Sequence, residues 1–159
     1  MLRITNTRNL WWLFFATLLL TASFVVCSSL WNLTLLDGVS SPVEVRRILA
    51  GMSPEQIRAH IWITATLDVA YPLAYGGLFA GAALSGFATC GRYLALPALL
   101  AIPVDLLEGV VQVLALTDSG DLIDTKAYIT PLKTALFLSG LVIALAAWMK
   151  WLIVRIGRA

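Results

Sequence analysis

Residues 10–33 read LWWLFFATLLLTASFVVCSSLWNL, and this stretch contains no charged side chain. A helix needs about 20 apolar residues to cross the hydrocarbon core of a bilayer, so the stretch is long enough to span one. Three more stretches qualify, at residues 61–84, 93–116 and 127–149. The sequence therefore predicts an all-α fold, a four-helix transmembrane bundle, built as a single integral membrane domain over residues 1–159.

The composition supports a membrane protein and excludes several other classes. Apolar residues make up 60% of the chain and charged residues 13%, whereas a soluble globular protein is nearer half apolar and a quarter charged. The net charge of +2 and the lack of a basic run indicate no nucleic-acid partner. The only histidine, His60, completes no recognised ligand spacing, so we predict no metal site and no cofactor. We expect His60 to be solvated, because it stands just before the second span.

Basic residues divide unequally between the two ends of the predicted spans. Six fall at the end that holds both termini: Arg3, Arg8, Arg92, Lys150, Arg155 and Arg158. Four fall in the opposite loops: Arg46, Arg47, Arg58 and Lys126. Cytoplasmic loops carry an excess of Lys and Arg, so we expect both termini in the cytoplasm. The first span is too long for a signal-peptide core and lacks an A-x-A site, which indicates an uncleaved anchor.

The connection between the first two spans contains two helix-start signals. Ser41-Pro42-Val43-Glu44 and Ser53-Pro54-Glu55-Gln56 each have the pattern of a capping box with proline at the first helical position. This predicts a short amphipathic helix from about residue 42 to residue 50 on the membrane surface. A second helix should start at Pro54 and continue into the second span. The short helix is either a plain connector or a lid over a site.

Charged and polar residues interrupt three of the apolar spans. A charge at the bilayer centre costs about 2.5–3.5 kcal/mol even on insertion scales, so such residues are expected to face the bundle interior. Their spacing puts them on one stripe of each helix. These candidate ligand-binding residues are Asp68, Tyr71 and Tyr75 in span two, Asp105, Glu108 and Gln112 in span three, and Lys133 in span four.

The four ionisable residues among them also agree in depth. At a rise of 1.5 Å per residue, Asp68 and Lys133 lie roughly 10 Å below the outer ends of their spans, Glu108 about 12 Å and Asp105 about 16 Å. This predicts a shared pocket in the outer half of the bilayer. Because three carboxyl groups share one lysine, we expect one acid to pair with Lys133 and at least one other, Asp105 first, to hold a proton.

Two functions fit this pattern. In the first, the pocket binds a small amphiphile, an amine or a lipid-like molecule, with the three acids as acceptors or acid–base groups and Lys133 as their counter-ion. Proton transfer is the only chemistry these groups indicate, and whether the protein is an enzyme stays open. A proton-coupled carrier is a variant that calls for a homodimer. The alternative is a non-catalytic accessory or assembly subunit of a larger membrane complex, in which the polar residues clasp helices together.

One pattern covers spans two to four: Leu67-Asp68-x-x-Tyr71-Pro72-x-x-Tyr75-Gly76, then Pro103-x-Asp105-x-x-Glu108-Gly109, then Lys133. It resembles a recurring signature of small uncharacterised bacterial four-span membrane proteins. The resemblance implies a multi-pass protein of the bacterial inner membrane and brings no activity with it. At the level of architecture, the chain is also similar to the sterol-isomerase and sigma-2-receptor superfamily of four-span bundles, from which no site residue is carried over.

Overall fold

The structure, a computed structural model, describes residues 5–157, which fold into six α-helices with no strand among them. In chain order the helices are α1 (Thr7–Leu30), α2 (Pro42–Ala50), α3 (Pro54–Gly86), α4 (Gly91–Leu94), α5 (Leu96–Leu116) and α6 (Lys126–Ile156). Short 3-10 turns, Ala88–Cys90 and Ile123–Thr125, precede α4 and α6. Four helical stretches are long and apolar enough to cross a membrane, which confirms the all-α bundle and indicates a multi-pass membrane protein.

The first span lies about three residues nearer the N-terminus than predicted. Asn6 caps α1, because its side-chain oxygen accepts a hydrogen bond from the Arg8 N–H at 3.1 Å. The helix ends at Leu30, and Asn32 follows with φ at +48°. Asn tolerates this left-handed conformation, which does not continue a helix. The apolar run continues past this turn through Trp31 and Leu33. Hydropathy therefore placed the end of the first span three residues beyond the end of the helix.

Helices α2 and α3 begin where the capping signals predict. Ser41 accepts a hydrogen bond from the Glu44 N–H at 3.5 Å. Ser53 and Gln56 form a full capping box, in which each side chain accepts a hydrogen bond from the other residue's backbone N–H. Helix α2 covers Pro42–Ala50, and α3 runs without interruption from Pro54 into the second span. Helix α3 therefore extends beyond the predicted second span, 61–84, and α6 (Lys126–Ile156) extends beyond the predicted fourth span, 127–149.

The third span is interrupted, whereas the prediction for residues 93–116 was a continuous helix. Helix α4 ends at Leu94 and α5 begins at Leu96. Pro97 explains the break, because it has no N–H to donate to the carbonyl of Tyr93 and its ring crowds the preceding turn. Gly91 starts α4 where a Cβ would lie 2.7 Å from the Ala83 carbonyl oxygen, so this close approach to α3 requires glycine.

Helix α3 is central and packs against α1, α5 and α6. The main core joins Tyr75 and Phe79 of α3 to Ala98 of α5 and Ala144 of α6. Small residues let α5 and α6 approach closely: a Cβ at Gly140 would lie 3.2 Å from the Ala98 Cβ. This packing turns the polar stripes of α3, α5 and α6 toward one interior.

A smaller apolar cluster lies at the end of the bundle that holds α2, here called the α2 end. It consists of Leu36, Val45, Leu116 and Ile123. Leu36 belongs to residues 31–41, the loop between α1 and α2, which we call the strap. Because Leu36 is completely buried, the strap is held against the bundle rather than extended away from it. At the opposite end, the terminal end, α1 begins and α6 finishes.

Candidate functional site

Six of the seven predicted site residues are buried, and Tyr71 is half-buried. They lie on α3, α5 and α6 as the helical spacing predicts. The structure brings four of them into direct contact: Tyr75, Asp105, Glu108 and Lys133. It also adds two residues, Asp37 and Lys126, and we call the six ionisable side chains Asp37, Asp68, Asp105, Glu108, Lys126 and Lys133 the charged cluster.

Glu108 is the most fully partnered member of the cluster. Its carboxylate is completely buried and accepts hydrogen bonds from the Lys126 ammonium and, at 2.5 Å, from the Thr130 hydroxyl. Its other oxygen lies 2.5 Å from Lys133 Nζ. Lys126, Thr130 and Lys133 stand at i, i+4 and i+7 on α6 and therefore share one face. Glu108 thus joins α5 to two turns of α6.

Lys133 contacts three acids, where the sequence predicted one. Its Nζ lies 2.5 Å from Asp37 Oδ1, 3.2 Å from Asp105 Oδ1 and 2.5 Å from Glu108 Oε2. The contact with Asp37 comes from the strap and not from a span. The ammonium therefore connects a surface loop with the interior of the bundle.

Tyr75 links the charged cluster to a group of aromatic rings. Its hydroxyl donates to Asp105 Oδ2 at 2.8 Å. Its ring centroid lies 5.2 Å from that of Tyr71 and 4.9 Å from that of Phe137. The Tyr71 hydroxyl accepts a 3.5 Å hydrogen bond from Thr21 and takes no part in the ion contacts. Tyr71 therefore belongs to the aromatic side of the site.

Asp68 and Gln112 differ from the rest because they have no partner among residues 5–157. Asp68 is 7% exposed, yet its carboxylate makes no hydrogen bond or ion pair with any described side chain or backbone group. Both amide atoms of Gln112, which is 1% exposed, likewise have no hydrogen-bond partner there. Gly109 of α5 faces Asp68, since a Cβ at Gly109 would lie 3.9 Å from Asp68 Oδ2. These polar groups on the α3–α5 side of the site therefore have no hydrogen-bond or ion-pair partner within the described part of the chain.

The expectation that His60 is solvated is wrong. His60 is 1% exposed, and its Nε2 accepts a hydrogen bond from the Leu36 N–H at 3.2 Å. Since Nε2 accepts, the ring proton of neutral His60 lies on Nδ1, which is 3.3 Å from the Thr64 hydroxyl. His60 is therefore an anchor for the strap. It continues the α3 stripe, because His60, Thr64 and Asp68 are spaced four residues apart.

Asp37, Asp105 and Glu108 also form the one group among the described residues whose oxygens are close enough together to ligate a metal ion. One ligand atom from each lies within 4.8 Å of the others. Lys133 contacts all three carboxylates, so a metal ion would have to displace its ammonium. Lys133 is thus the cation that this arrangement of carboxylates holds.

At the α2 end, exposed ion pairs join α2 to the connection between α5 and α6. Arg46 of α2 lies 3.0 Å from Asp121 Oδ2 and 3.0 Å from Asp124 Oδ1, and both acids belong to the connection between α5 and α6. The Arg46 guanidinium lowers the pKa of Asp121 from its ordinary value, and the two acids raise the pKa of Arg46. Because these side chains are exposed, the pairs contribute little to stability.

Comparison with protein-family models, with curated proteins and with solved structures gave no match.

Proposed function

We propose that the charged cluster forms the polar end of a pocket that binds a small amphiphilic or lipid-like molecule within the membrane. The observation that supports this most directly is Asp68. A carboxyl group buried to this degree without a partner costs several kcal/mol if it is ionised. A ligand that supplies a hydrogen-bond donor or a positive charge would remove that cost. Gln112 offers one further donor and acceptor near the same helix interface.

The charge balance of the cluster favours the same kind of ligand. Four carboxyl groups, Asp37, Asp68, Asp105 and Glu108, face two ammonium groups, Lys126 and Lys133. If all six were ionised, two negative charges would remain uncompensated in a medium of low dielectric. Protons or a positively charged ligand group must make up this difference. Proton exchange among Tyr75, Asp105 and Lys133 is the chemistry that these contacts offer.

Access to the pocket would be through the strap. Asp37 is the most exposed member of the cluster, with 40% of its side chain accessible, compared with 10% for Lys133. Lifting Asp37 from Lys133 would uncover the ammonium without disturbing any contact between spans. By the distribution of basic residues, the α2 end faces outward and both termini lie in the cytoplasm. The resemblance to small bacterial four-span proteins implies that the membrane is the bacterial inner membrane.

Native mass spectrometry of gently extracted protein tests the proposal. We expect wild-type protein to carry a small-molecule adduct that Asp68→Asn loses. Asp124→Asn, the same change at an exposed position in the connection between α5 and α6, is the matched control and should keep the adduct. An adduct retained equally by both variants would contradict a ligand site at Asp68.

A different observation favours the accessory-subunit alternative: Glu108 forms ion pairs with both Lys126 and Lys133 of α6. A side chain that joins two spans in this way acts as a clasp and needs no ligand. The same mass spectra distinguish the two functions. If wild-type protein carries a second protein chain and no small molecule, the accessory role is supported and the pocket is not.

A further inference from the structure

A groove of about 570 Å³ lies outside the charged cluster, between the end of α1 and the first turns of α3. Its buried wall is apolar, with Ala59 at 8% and Ile63 at 5% exposure, and Leu67 continues it deeper into the bundle. The rise of a helix puts Leu67 about 13 Å below Arg58 along α3. The groove therefore passes from a charged mouth to an apolar interior.

The mouth of the groove carries a matched pair of opposite charges. Arg58 and Glu55, one turn apart on α3, lie 3.3 Å from each other, with side chains 71% and 69% exposed. Trp31 and Trp62 line the groove at the same end and are 46% and 71% exposed. Tryptophan is enriched at the level of lipid headgroups, so this end of the groove lies where headgroups lie.

A hydrogen-bonded tie fixes the width of the groove at its mouth. The Gln56 side-chain amide donates to the carbonyl oxygens of Trp31 and Asn32 at 3.3 and 3.0 Å. This contact joins the end of α1 to the start of α3 beside the charged pair. The groove is thus a preformed feature of the α1–α3 packing and not a gap between independent helices.

We propose that this groove binds one phospholipid with a zwitterionic, amine-bearing headgroup from the leaflet at the α2 end. Arg58 would bind the phosphate, and Glu55 with the face of Trp62 would bind the ammonium. One acyl chain would lie along Ala59, Ile63 and Leu67. The charge complementarity selects the headgroup, because an anionic lipid without the amine would leave Glu55 facing like charge.

Cys27 provides a reporter inside the groove, and Cys90 provides an internal control. Cys27 is a half-buried free thiol that lines the groove, whereas Cys90 is exposed at the terminal end. Full-length protein is placed in nanodiscs of phosphatidylethanolamine or of phosphatidylglycerol, and thiol labelling by a small maleimide is followed by intact mass. We expect Cys27 to be labelled about two- to fivefold more slowly in phosphatidylethanolamine, the range that one exposed ion pair provides. Cys90 should be labelled at the same rate in both.

Substitutions at the mouth sharpen the test. Arg58→Gln and Trp62→Ala should abolish the protection of Cys27, and Arg58→Lys, which keeps the charge, should restore part of it. Arg47→Gln is the matched control, because Arg47 pairs with Glu44 at the same i,i+3 spacing on α2, away from the groove. Circular dichroism checks that each variant is folded. Equal labelling of wild-type Cys27 in the two lipids, or equal effects of Arg58→Gln and Arg47→Gln, would leave only ordinary surrounding lipid and overturn the proposal.

Discussion

Glu108 and Asp68 are both acids buried in the same interior, yet their surroundings differ completely. Glu108 is in contact with Lys126, Thr130 and Lys133, whereas Asp68 has no partner among the described residues. A buried carboxylate that stabilises a fold needs such partners, and one without them lowers stability. The α5–α6 side of the cluster therefore holds helices together, while the α3–α5 side carries polar groups that no described residue partners.

The largest effect on stability is expected on the α5–α6 side of the cluster, where Glu108 has its partners. Glu108→Ala leaves Lys126 and Lys133 without their shared acid, and removing one partner of a buried ion pair costs about 3–5 kcal/mol. We expect a large fall in the thermal unfolding midpoint in detergent. Asp124→Ala, an acid in an exposed ion pair, is the control and should change the midpoint little. If Glu108→Ala is as stable as this control, the clasp between α5 and α6 is not a stabilising contact.

A gain in stability, the opposite of the loss at Glu108, is expected when Asp68 is replaced. Asp68→Asn replaces an acid that no described residue partners with a neutral amide, so ligand-free protein should gain about 1–2 kcal/mol. Asp105→Asn makes the same chemical change at a residue held by Tyr75 and Lys133 and should lose stability. Both midpoints are measured on protein that native mass spectrometry shows to be free of adducts. A loss for both variants would remove the distinction between the two sides of the cluster.

Part of the charged cluster and of the fold can be predicted from the sequence. Helical spacing put Asp105, Glu108 and Lys133 on inward stripes, and the structure brings them together. The capping signals at Ser41 and Ser53 predicted two helix starts, because caps act through local backbone hydrogen bonds. Both features depend on short-range geometry that is written directly in the residue order.

The burial of Lys126 and His60 was not predicted, and the reason is the same for both residues. Each stands one residue outside a span defined by hydropathy, 127–149 or 61–84, and each continues the polar stripe of its helix by about one turn. Extending the stripes past the apolar limits would have found them. Asp37 has no such signal, since its position depends on how the strap folds back through Leu36 and His60. Long-range contacts of a loop have no period in the sequence.

Substitution of Asp37 tests whether the strap contributes to the contacts that hold α5 and α6 together. Asp37→Asn removes an acid from Lys133, but Asp37 is 40% exposed and solvent screens the pair, so we expect a loss of about 1 kcal/mol. Backbone hydrogen exchange should rise in residues 31–41 while α5 and α6 keep their protection. Should exchange rise equally in α5 and α6, Asp37 would be part of the clasp and not a removable cover.

The smallest effect is expected at the exposed pair of Arg46 and Asp121, where the same charges meet outside the interior. Arg46 lowers the pKa of Asp121, so the folded protein holds this carboxyl ionised more strongly than the unfolded chain does. Its contribution is therefore present above the unfolded pKa of about 3.9 and is lost as pH falls through the folded value. Asp121→Asn should lower the unfolding midpoint slightly at neutral pH and have no effect near the acid end of the titration.

Asp118→Asn is the control for the lost ion pair, because Asp118 lies in the same connection between α5 and α6 and makes no ion pair with any of residues 5–157. At neutral pH it should lower the unfolding midpoint less than Asp121→Asn does. Exposed partners of Asp121 are screened by water, whereas Glu108 meets its partners where water is excluded. If Asp121→Asn were as destabilising as Glu108→Ala, the stabilisation from an ion pair would not depend on whether the pair is buried or exposed. Burial would then not explain why the two sides of the cluster differ.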